Sequence, residues 1–194
     1  EGTENAKLWK YLIGEIRKDY PDALFVSEWC QPDIAVGEAG FDLDFFIHIR
    51  GEAYNSLFRA ESENRAWGFG DKPSYFRENS PAGLDTFFED FLPNLSKVSG
   101  KGAISVPTGN HDIKRIGSNR SADELKAAYA FLFTLPSVPF IYYGDEIGMR
   151  HLPGLSKDGG FNRTGSRTPM QWTDGKNAGF SEAAEDKLYL LSLI

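Results

Sequence analysis

Four short apolar segments of this sequence are each followed within a few residues by charged, amide or histidine side chains. An apolar segment with polar residues after its carboxyl end is typical of parallel strands in α/β enzymes, whose catalytic groups lie on the loops that follow the strands. The pattern therefore predicts an α/β fold with a parallel sheet and an enzyme site in those loops. The four predicted strands are residues 24–26, 41–49, 103–106 and 139–143.

Parallel strands require crossover connections, and the sequence between the four segments supplies candidates for them. Leu8, Leu12 and Ile16 recur every four residues, Trp9 and Ile13 widen this stripe, and together they predict one buried helix face. Ser121 and Glu124 form a capping box, which predicts the start of a later helix. The predicted helices are residues 3–19, 32–39, 84–96 and 121–135, and the predicted long irregular loops are 51–83 and 150–180. The faces expected to point inward in the last two helices are Leu84, Phe87, Phe88, Phe91, Leu92 and Leu95, and Leu125, Ala128, Tyr129, Leu132 and Phe133.

Charge and composition argue against some kinds of binding partner. The formal net charge is −7, which argues against a nucleic-acid-binding protein, because such proteins present a basic face. No apolar run approaches the roughly 20 residues of a membrane helix, so we expect no membrane partner. A neutral substrate such as a sugar is compatible with the acidic balance. Cys30 is the single cysteine, which leaves a structural residue or a neighbour of the site as the alternatives.

Two places carry side chains suited to catalysis. Glu28 follows a predicted strand and stands beside Trp29, so we expect a desolvated carboxyl group with a raised pKa, as a general acid requires. Asn110-His111-Asp112 follows another strand, and the alternative there is a turn satisfied by its own side chains. Arg115 comes three residues later and could orient a carboxylate through a bidentate contact.

Four motifs, in this order, resemble those of the α-amylase superfamily of glycoside hydrolases. The third of them reads Tyr-Tyr-Gly-Asp-Glu-Ile-Gly-Met and the fourth reads Arg-Thr-Pro-Met-Gln-Trp. The fourth, followed by Asn-Ala-Gly-Phe, is similar to the α-glucosidase, oligo-1,6-glucosidase and trehalose synthase branch. The resemblance covers nearly the whole chain except 51–83. The motifs are Ser27-Glu28-Trp29, Gly109-Asn110-His111-Asp112, residues 142–149 and residues 167–172.

The resemblance implies a (β/α)8 TIM-barrel type of fold and roles for several residues. Glu28 corresponds to the general acid/base, and Asp112 corresponds to the carboxylate that binds sugar hydroxyls and stabilises the oxocarbenium-like transition state. His111 corresponds to a neighbouring donor to the same sugar. The looser candidates for lining the substrate subsites are Trp29, Arg115 and Asp145, and a structural salt bridge is the alternative for Asp145. The implied substrate is an α-linked oligosaccharide, and no cofactor or metal is implied.

The catalytic nucleophile of that family is the feature that the sequence lacks. A retaining glycosidase needs two carboxyl groups about 5–5.5 Å apart. The family's nucleophile is an Asp in an Arg-x-Asp pattern with a downstream His, and Arg17-Lys18-Asp19 lacks that His. We therefore expect residues 1–194 to be about the second half of the barrel, strands 5–8, without the C-terminal β domain. The partner would be the remaining half of the parent enzyme, and the isolated chain should be inactive.

Two alternatives remain open. Gly109-Asn110-His111-Asp112 also matches a motif of metallophosphoesterases, but that family places its other motifs before this one and needs further histidines. A non-catalytic carbohydrate-binding half-barrel is the other alternative, and the missing nucleophile favours it for the isolated chain. Glu28 and Asp112 favour an enzyme as the parent.

Overall fold

A four-stranded parallel sheet organises the protein, as the sequence predicts. The computed structural model describes residues 2–47, 52–58 and 74–190. Neighbouring strands pair in chain order, β1-β2-β3-β4, and the register places Ser27 opposite Asp44 and Asp44 opposite Ile104. Residues 48 and 49 of the predicted second strand lie outside the described residues. The strands are β1 (Val26–Ser27), β2 (Leu43–Phe45), β3 (Ala103–Pro107) and β4 (Val138–Phe140).

Five α-helices accompany these strands in the described part of the chain. Helix α3 falls inside the predicted loop 51–83, so that part of the loop prediction is wrong. Its Tyr54 is fully buried and donates a hydrogen bond to the carbonyl of Pro107 (2.6 Å). Residues 74–83 of that loop carry no helix or strand, as predicted, and residues 51 and 59–73 lie outside the described residues. The helices are α1 (Gly2–Asp19), α2 (Pro32–Ala35), α3 (Glu52–Phe58), α4 (Asp85–Val98) and α5 (Ala122–Thr134).

The chain consists of two compact units. The first unit comprises Glu1–Pro107 and Ala127–Phe140, and it contains all four strands. The second comprises Thr108–Lys126 and Ile141–Ile194, and short 3₁₀ turns are its main regular structure beyond residue 140. The predicted irregular loop 150–180 is therefore confirmed.

The first unit has an aromatic core beside the sheet. Phe87 and Phe91 of α4 are fully buried and stack on each other, with 4.9 Å between ring centroids. Phe46, just after β2, meets both rings edge-on, and Phe131 of α5 meets Phe87. These contacts confirm the centre of the predicted α4 face. Leu92 departs from the prediction, because it is 52% exposed.

The predicted buried face of α1 is correct at Ile13 and wrong at its other positions. Leu8, Leu12 and Ile16 are exposed, and only Ala6 and Ile13 of this helix are buried among the described side chains. The buried pair packs in a small cluster with Ala35, Ala39 and Phe41. The apolar period identified the helix correctly but not the side that packs, because that depends on where α2 lies.

Strand β1 also differs from its prediction. Leu24 is 80% exposed and Val26 is 46% exposed, whereas Ser27 is buried. The pairing with β2 begins only at Val26, so the apolar run 24–26 lies mostly before the strand.

The capping box at the start of α5 is confirmed. The Ser121 amide donates to the Glu124 carboxylate (2.7 Å), and the Glu124 amide donates to the Ser121 hydroxyl (3.2 Å). Ala128 and Leu132 are buried as expected, but Phe133 is 60% exposed. Among described residues, no helix is both long and apolar enough to cross a membrane.

Candidate functional site

Glu28 lies in the loop that joins β1 to α2, and its side chain is exposed. The expected burial of this carboxyl group against Trp29 is therefore not found in the first unit. Trp29 is half-buried and packs instead against the cluster that contains Ala6 and Ile13. The roles of Glu28 as acid/base and of Trp29 as a subsite residue stay predictions.

The Asp44 carboxylate accepts hydrogen bonds from the loop that contains Glu28 and from the residue before it. This aspartate of β2 is fully buried, and its carboxylate accepts hydrogen bonds from four donors, one at the end of β1 and three in the loop. Burial of a carboxylate is unfavourable unless hydrogen bonds or charges replace its hydration. Here the loop supplies that replacement. The donors are the Ser27 hydroxyl and the backbone amides of Trp29 (3.0 Å), Cys30 (3.3 Å) and Gln31 (2.8 Å).

Cys30 has an unusual backbone and an unreactive thiol. Its φ of 60° places a non-glycine residue in the left-handed region, a conformation that costs on the order of 1–3 kcal/mol. Burial, and next the negative charges of Asp44 and Glu28, raise the pKa of the thiol to about 12. Such a thiol is protonated at neutral pH, and both alternatives for Cys30, a structural residue or a neighbour of the site, stay predictions.

In the second unit, Asn110 forms the turn that the sequence allowed as an alternative. Its side-chain oxygen accepts hydrogen bonds from the backbone amides of Asp112 (2.8 Å) and Ile113 (3.1 Å). This explains Asn110 but neither His111 nor Asp112, whose side chains are not used in the turn. The turn thus presents both side chains away from its own backbone.

Asp112 is held by two arginines. Arg163 Nη1 lies 3.0 Å and Arg167 Nη2 lies 2.9 Å from the same carboxylate oxygen, Oδ1. Arg167 also donates to the carbonyl of His111 (2.9 Å), so it contacts both neighbouring residues of the motif. The His111 side chain is 55% exposed, with Nε2 3.6 Å from Asp112 Oδ1. Asp112 itself is 24% exposed, which leaves its carboxylate partly accessible.

Arg115 and Asp145 form a fully buried ion pair, with 3.2 Å between Nη1 and Oδ1. Thr108 donates a hydrogen bond to the other Asp145 oxygen (2.7 Å), and the Arg115 guanidinium also donates to the carbonyl of Tyr143. Arg115 does contact a carboxylate as predicted, but through one nitrogen rather than two. The salt-bridged alternative for Asp145 is the one that the structure adopts, and a subsite role for either residue stays a prediction.

Tyrosine rings complete the surroundings of Arg115. The Tyr142 and Tyr143 ring centroids lie 4.7 and 4.6 Å from its guanidinium carbon, a cation–π arrangement that offsets part of the desolvation of the charge. Burial is the main cause that raises the pKa of Tyr142 above its usual value. The two hydroxyls donate to the carbonyls of Ser166 and Thr168, which ties the third motif to the fourth.

Gly144 has to be glycine for this arrangement. Its φ is 82°, and a Cβ atom there would lie 2.2 Å from the sulfur of Met149 and 3.2 Å from Arg115 Nη1. Only a residue without a side chain fits between them.

Three residues of these clusters were missed by the sequence analysis. Asp44 had a signal, since a charged residue inside an apolar parallel strand needs buried partners. Arg167 begins the fourth motif, which supported the resemblance but was given no role. Arg163 had no signal, because it lies in an irregular stretch and contacts Asp112 from 51 residues away along the chain.

Within the described ranges, no group of three or more His, Cys, Asp and Glu side chains is placed to hold a metal ion. Asp112, which a metallophosphoesterase would use as a ligand, instead pairs with two guanidinium groups. Such a pairing would compete with a bound cation.

The chain is similar to proteins with different recorded roles. It is 34% identical over 115 residues to the amino acid transporter heavy chain SLC3A1 of Homo sapiens, covering 50% of this chain and 17% of that protein. It is 46% identical over 68 residues to the trehalose synthase/amylase TreS of Mycolicibacterium smegmatis, covering 35% of this chain and 11% of that protein. The matched regions thus span less than a fifth of the length of either relative.

The fold is similar to that of a solved trehalulose synthase, MutB, with a TM-score of 0.59 and 21% sequence identity. The match covers 88% of this chain and 35% of the synthase chain. The model of the α-amylase catalytic domain matches residues 44–192, which include Asp44, the Asn110-His111-Asp112 turn and all three arginines of the second unit described above. The chain therefore belongs to the α-amylase family, whose catalytic domain is a (β/α)8 barrel.

Proposed function

We propose that this chain is part of a retaining α-glycosidase or transglucosidase that acts on α-glucosidic bonds of small oligosaccharides. In this proposal residues 1–194 form strands 5–8 of the barrel, and the remaining half of the parent enzyme supplies the nucleophile. Support comes from the family match and from relatives that include a trehalose synthase/amylase.

The Asp112 cluster is the observation that carries the proposal. Arg163 and Arg167 both bind Oδ1, so Oδ2 is not used by either guanidinium. A partly exposed carboxylate whose Oδ1 is held by two guanidinium groups is suited to accept hydrogen bonds from sugar hydroxyls. Its negative charge is also suited to stabilise the positive charge that develops on the sugar during glycosidic bond cleavage.

Glu28 would act as the general acid/base. It would donate a proton to the leaving glycosidic oxygen and later remove one from the incoming water or sugar hydroxyl. Exposure of its side chain in the first unit is compatible with access of the substrate to the carboxyl group. His111, with its exposed ring, would donate a hydrogen bond to the sugar whose hydroxyls Asp112 binds.

The test combines the chain with a separately made N-terminal half from the same gene. Maltose, isomaltose, sucrose and an aryl α-glucoside are assayed with the chain alone and with the mixture. We expect turnover only in the mixture, and we expect Glu28→Gln and Asp112→Asn to reduce it by about 10²-fold or more. Glu38→Gln, which changes another exposed glutamate, is the matched control and should leave turnover unchanged. Turnover by the chain alone would contradict the missing-nucleophile part of the proposal.

A non-catalytic role is the second candidate, and the similarity to SLC3A1 favours it, since that protein is named as a transporter heavy chain. The chain would then keep the fold for binding or assembly. Glu28→Gln separates the two candidates. In an enzyme this variant should lose turnover, whereas in a binding module it should leave the sugar affinity unchanged.

A further inference from the structure

Ser27 and Trp29 are the two neighbours of Glu28 in the chain, and both donate hydrogen bonds to Asp44. Ser27 donates through its hydroxyl and Trp29 through its backbone amide (3.0 Å). Glu28 therefore sits between two residues that are attached to one buried carboxylate. The Glu28 backbone can move little unless the hydrogen bond from Ser27 or Trp29 to Asp44 breaks.

Two further hydrogen bonds attach the residues after Trp29 to Asp44. The amides of Cys30 and Gln31 also point at Asp44, so three successive residues of the loop direct their N–H groups at one side chain. The left-handed backbone of Cys30 lies within this run, and a left-handed residue of this kind is how a chain turns successive amides toward an anion. The loop thus adopts a strained backbone around the carboxylate.

Asp44 has no ion pair with any Lys, Arg or His among the residues that the structure describes. Asp42, two residues earlier, differs in this respect, because its carboxylate meets Arg17 (2.5 Å) as well as the Phe25 amide (2.8 Å). Three of the four described donors to Asp44 are backbone amides of the loop, and the fourth is the Ser27 hydroxyl at the point where β1 meets that loop, so the carboxylate fixes the loop conformation.

We propose that Asp44 is a positioning residue that fixes the conformation of residues 27–31 and thereby the placement of the Glu28 carboxyl group. This inference deepens the proposed function, since the value of a fixed Glu28 rests on its being the acid/base. A proton donor contributes to rate only when it is within hydrogen-bond reach of the leaving oxygen, and small displacements are costly.

The experiment uses the loop's own cysteine as a reporter. Cys30 is the only cysteine of the chain, and its backbone amide is one of the groups that Asp44 binds. Iodoacetamide alkylation of Cys30 as a function of pH, and amide hydrogen exchange at residues 29–31, are measured in the wild type, Asp44→Asn and Asp42→Asn.

In Asp44→Asn we expect amide exchange at residues 29–31 to be about tenfold faster or more, with exchange at Ile104 of β3 unchanged. Alkylation of Cys30 should also be faster at a given pH, because a negative neighbour is lost and the thiol is less enclosed. Asp42→Asn should resemble the wild type at these residues, since Asp42 contacts none of them. Equal exchange and equal alkylation in Asp44→Asn and the wild type would overturn the proposal.

If Asp44→Asn does not fold by circular dichroism, Ser27→Ala takes its place, because it removes one donor and keeps the carboxylate. Faster exchange at residues 29–31 in Ser27→Ala would support the proposal, and unchanged exchange would overturn it.

Activity gives the second arm of the test, in the mixture of the two halves. Asp44→Asn should lower kcat by about tenfold or more while KM changes little, as expected for a misplaced acid. Retained turnover in Glu28→Gln would contradict the proposed function, whereas the exchange and alkylation results would still decide whether Asp44 holds the loop.

Discussion

The two units hold their important carboxylates by different means. In the first unit, Asp44 is satisfied by a hydroxyl and three backbone amides of one loop. In the second unit, Asp112 pairs with two guanidinium groups, and Asp145 pairs with the Arg115 guanidinium and accepts a hydrogen bond from Thr108. A carboxylate therefore has two structural uses in this protein. Amides around a carboxylate determine the shape of one loop, whereas arginines join segments that are distant in the sequence.

The largest effect is expected from breaking the buried ion pair of the second unit. Arg115→Met removes the guanidinium that pairs with the buried Asp145, and breaking a buried ion pair costs about 3–5 kcal/mol of the free energy of unfolding. Urea denaturation measures it, and Arg150→Met, which changes an exposed arginine of the same unit, is the matched control. A loss below about 1 kcal/mol would mean that Asp145 regains water or another partner.

The next effect comes from removing the amide-bound carboxylate of the first unit. Asp44→Ala leaves several buried donors without an acceptor, and each such group costs about 1–3 kcal/mol unless water reaches it. We expect a loss of about 2–3 kcal/mol, smaller than for Arg115→Met because the exposed side of the loop can rehydrate. A larger loss than for Arg115→Met would reverse the comparison between the two units.

A smaller effect on stability is expected at Asp112. Arg163→Met and Arg167→Met each leave the other arginine in place, and partly exposed pairs contribute about 0–1 kcal/mol. In the assembled enzyme, however, each variant should lower turnover, because the carboxylate loses one of the two contacts that orient it. Thermal unfolding and kcat are compared for both variants. A stability loss without any change in kcat would indicate that the arginines only attach residues 163–167 to the second motif.

The smallest effect is a shift in the titration of Cys30. Asp44 raises the pKa of this thiol more than Glu28 does, after the larger influence of burial. Glu28→Gln should therefore lower the thiol pKa from about 12, and by less than Asp44→Asn does. Thiolate absorbance during a pH titration measures both shifts. A larger shift in Glu28→Gln would mean that Glu28 lies closer to Cys30 than Asp44 does.

Several local features could be predicted because their causes are local. The capping box of Ser121 and Glu124, the helix over residues 2–19 and the strand after Gly102 all depend on neighbouring residues in the chain. The α-amylase motifs were likewise visible in the sequence, since each is a short run of residues. The buried face of α1 was predictable only in part, because the apolar stripe included the buried Ile13 but gave no sign that Leu8, Leu12 and Ile16 would be exposed.

The contacts of the candidate site were predictable only in part. Asn110 could be recognised as a possible turn residue because its hydrogen bonds reach two and three residues ahead. The partners of Asp112 could not, because Arg163 and Arg167 lie more than 50 residues away along the chain. Asp44 was overlooked since its strand was treated as uniformly apolar.

By itself, the sequence determined the parallel α/β class, the order of the motifs and the family, because strand periodicity, caps and short motifs are properties of neighbouring residues. Only the tertiary structure decided that the Glu28 loop encloses Asp44, that Arg115 pairs with Asp145, and that two arginines meet at one oxygen of Asp112. The physical reason is that a buried charge must find partners wherever the folded chain brings them, and the pattern of residues along the chain does not specify those distances.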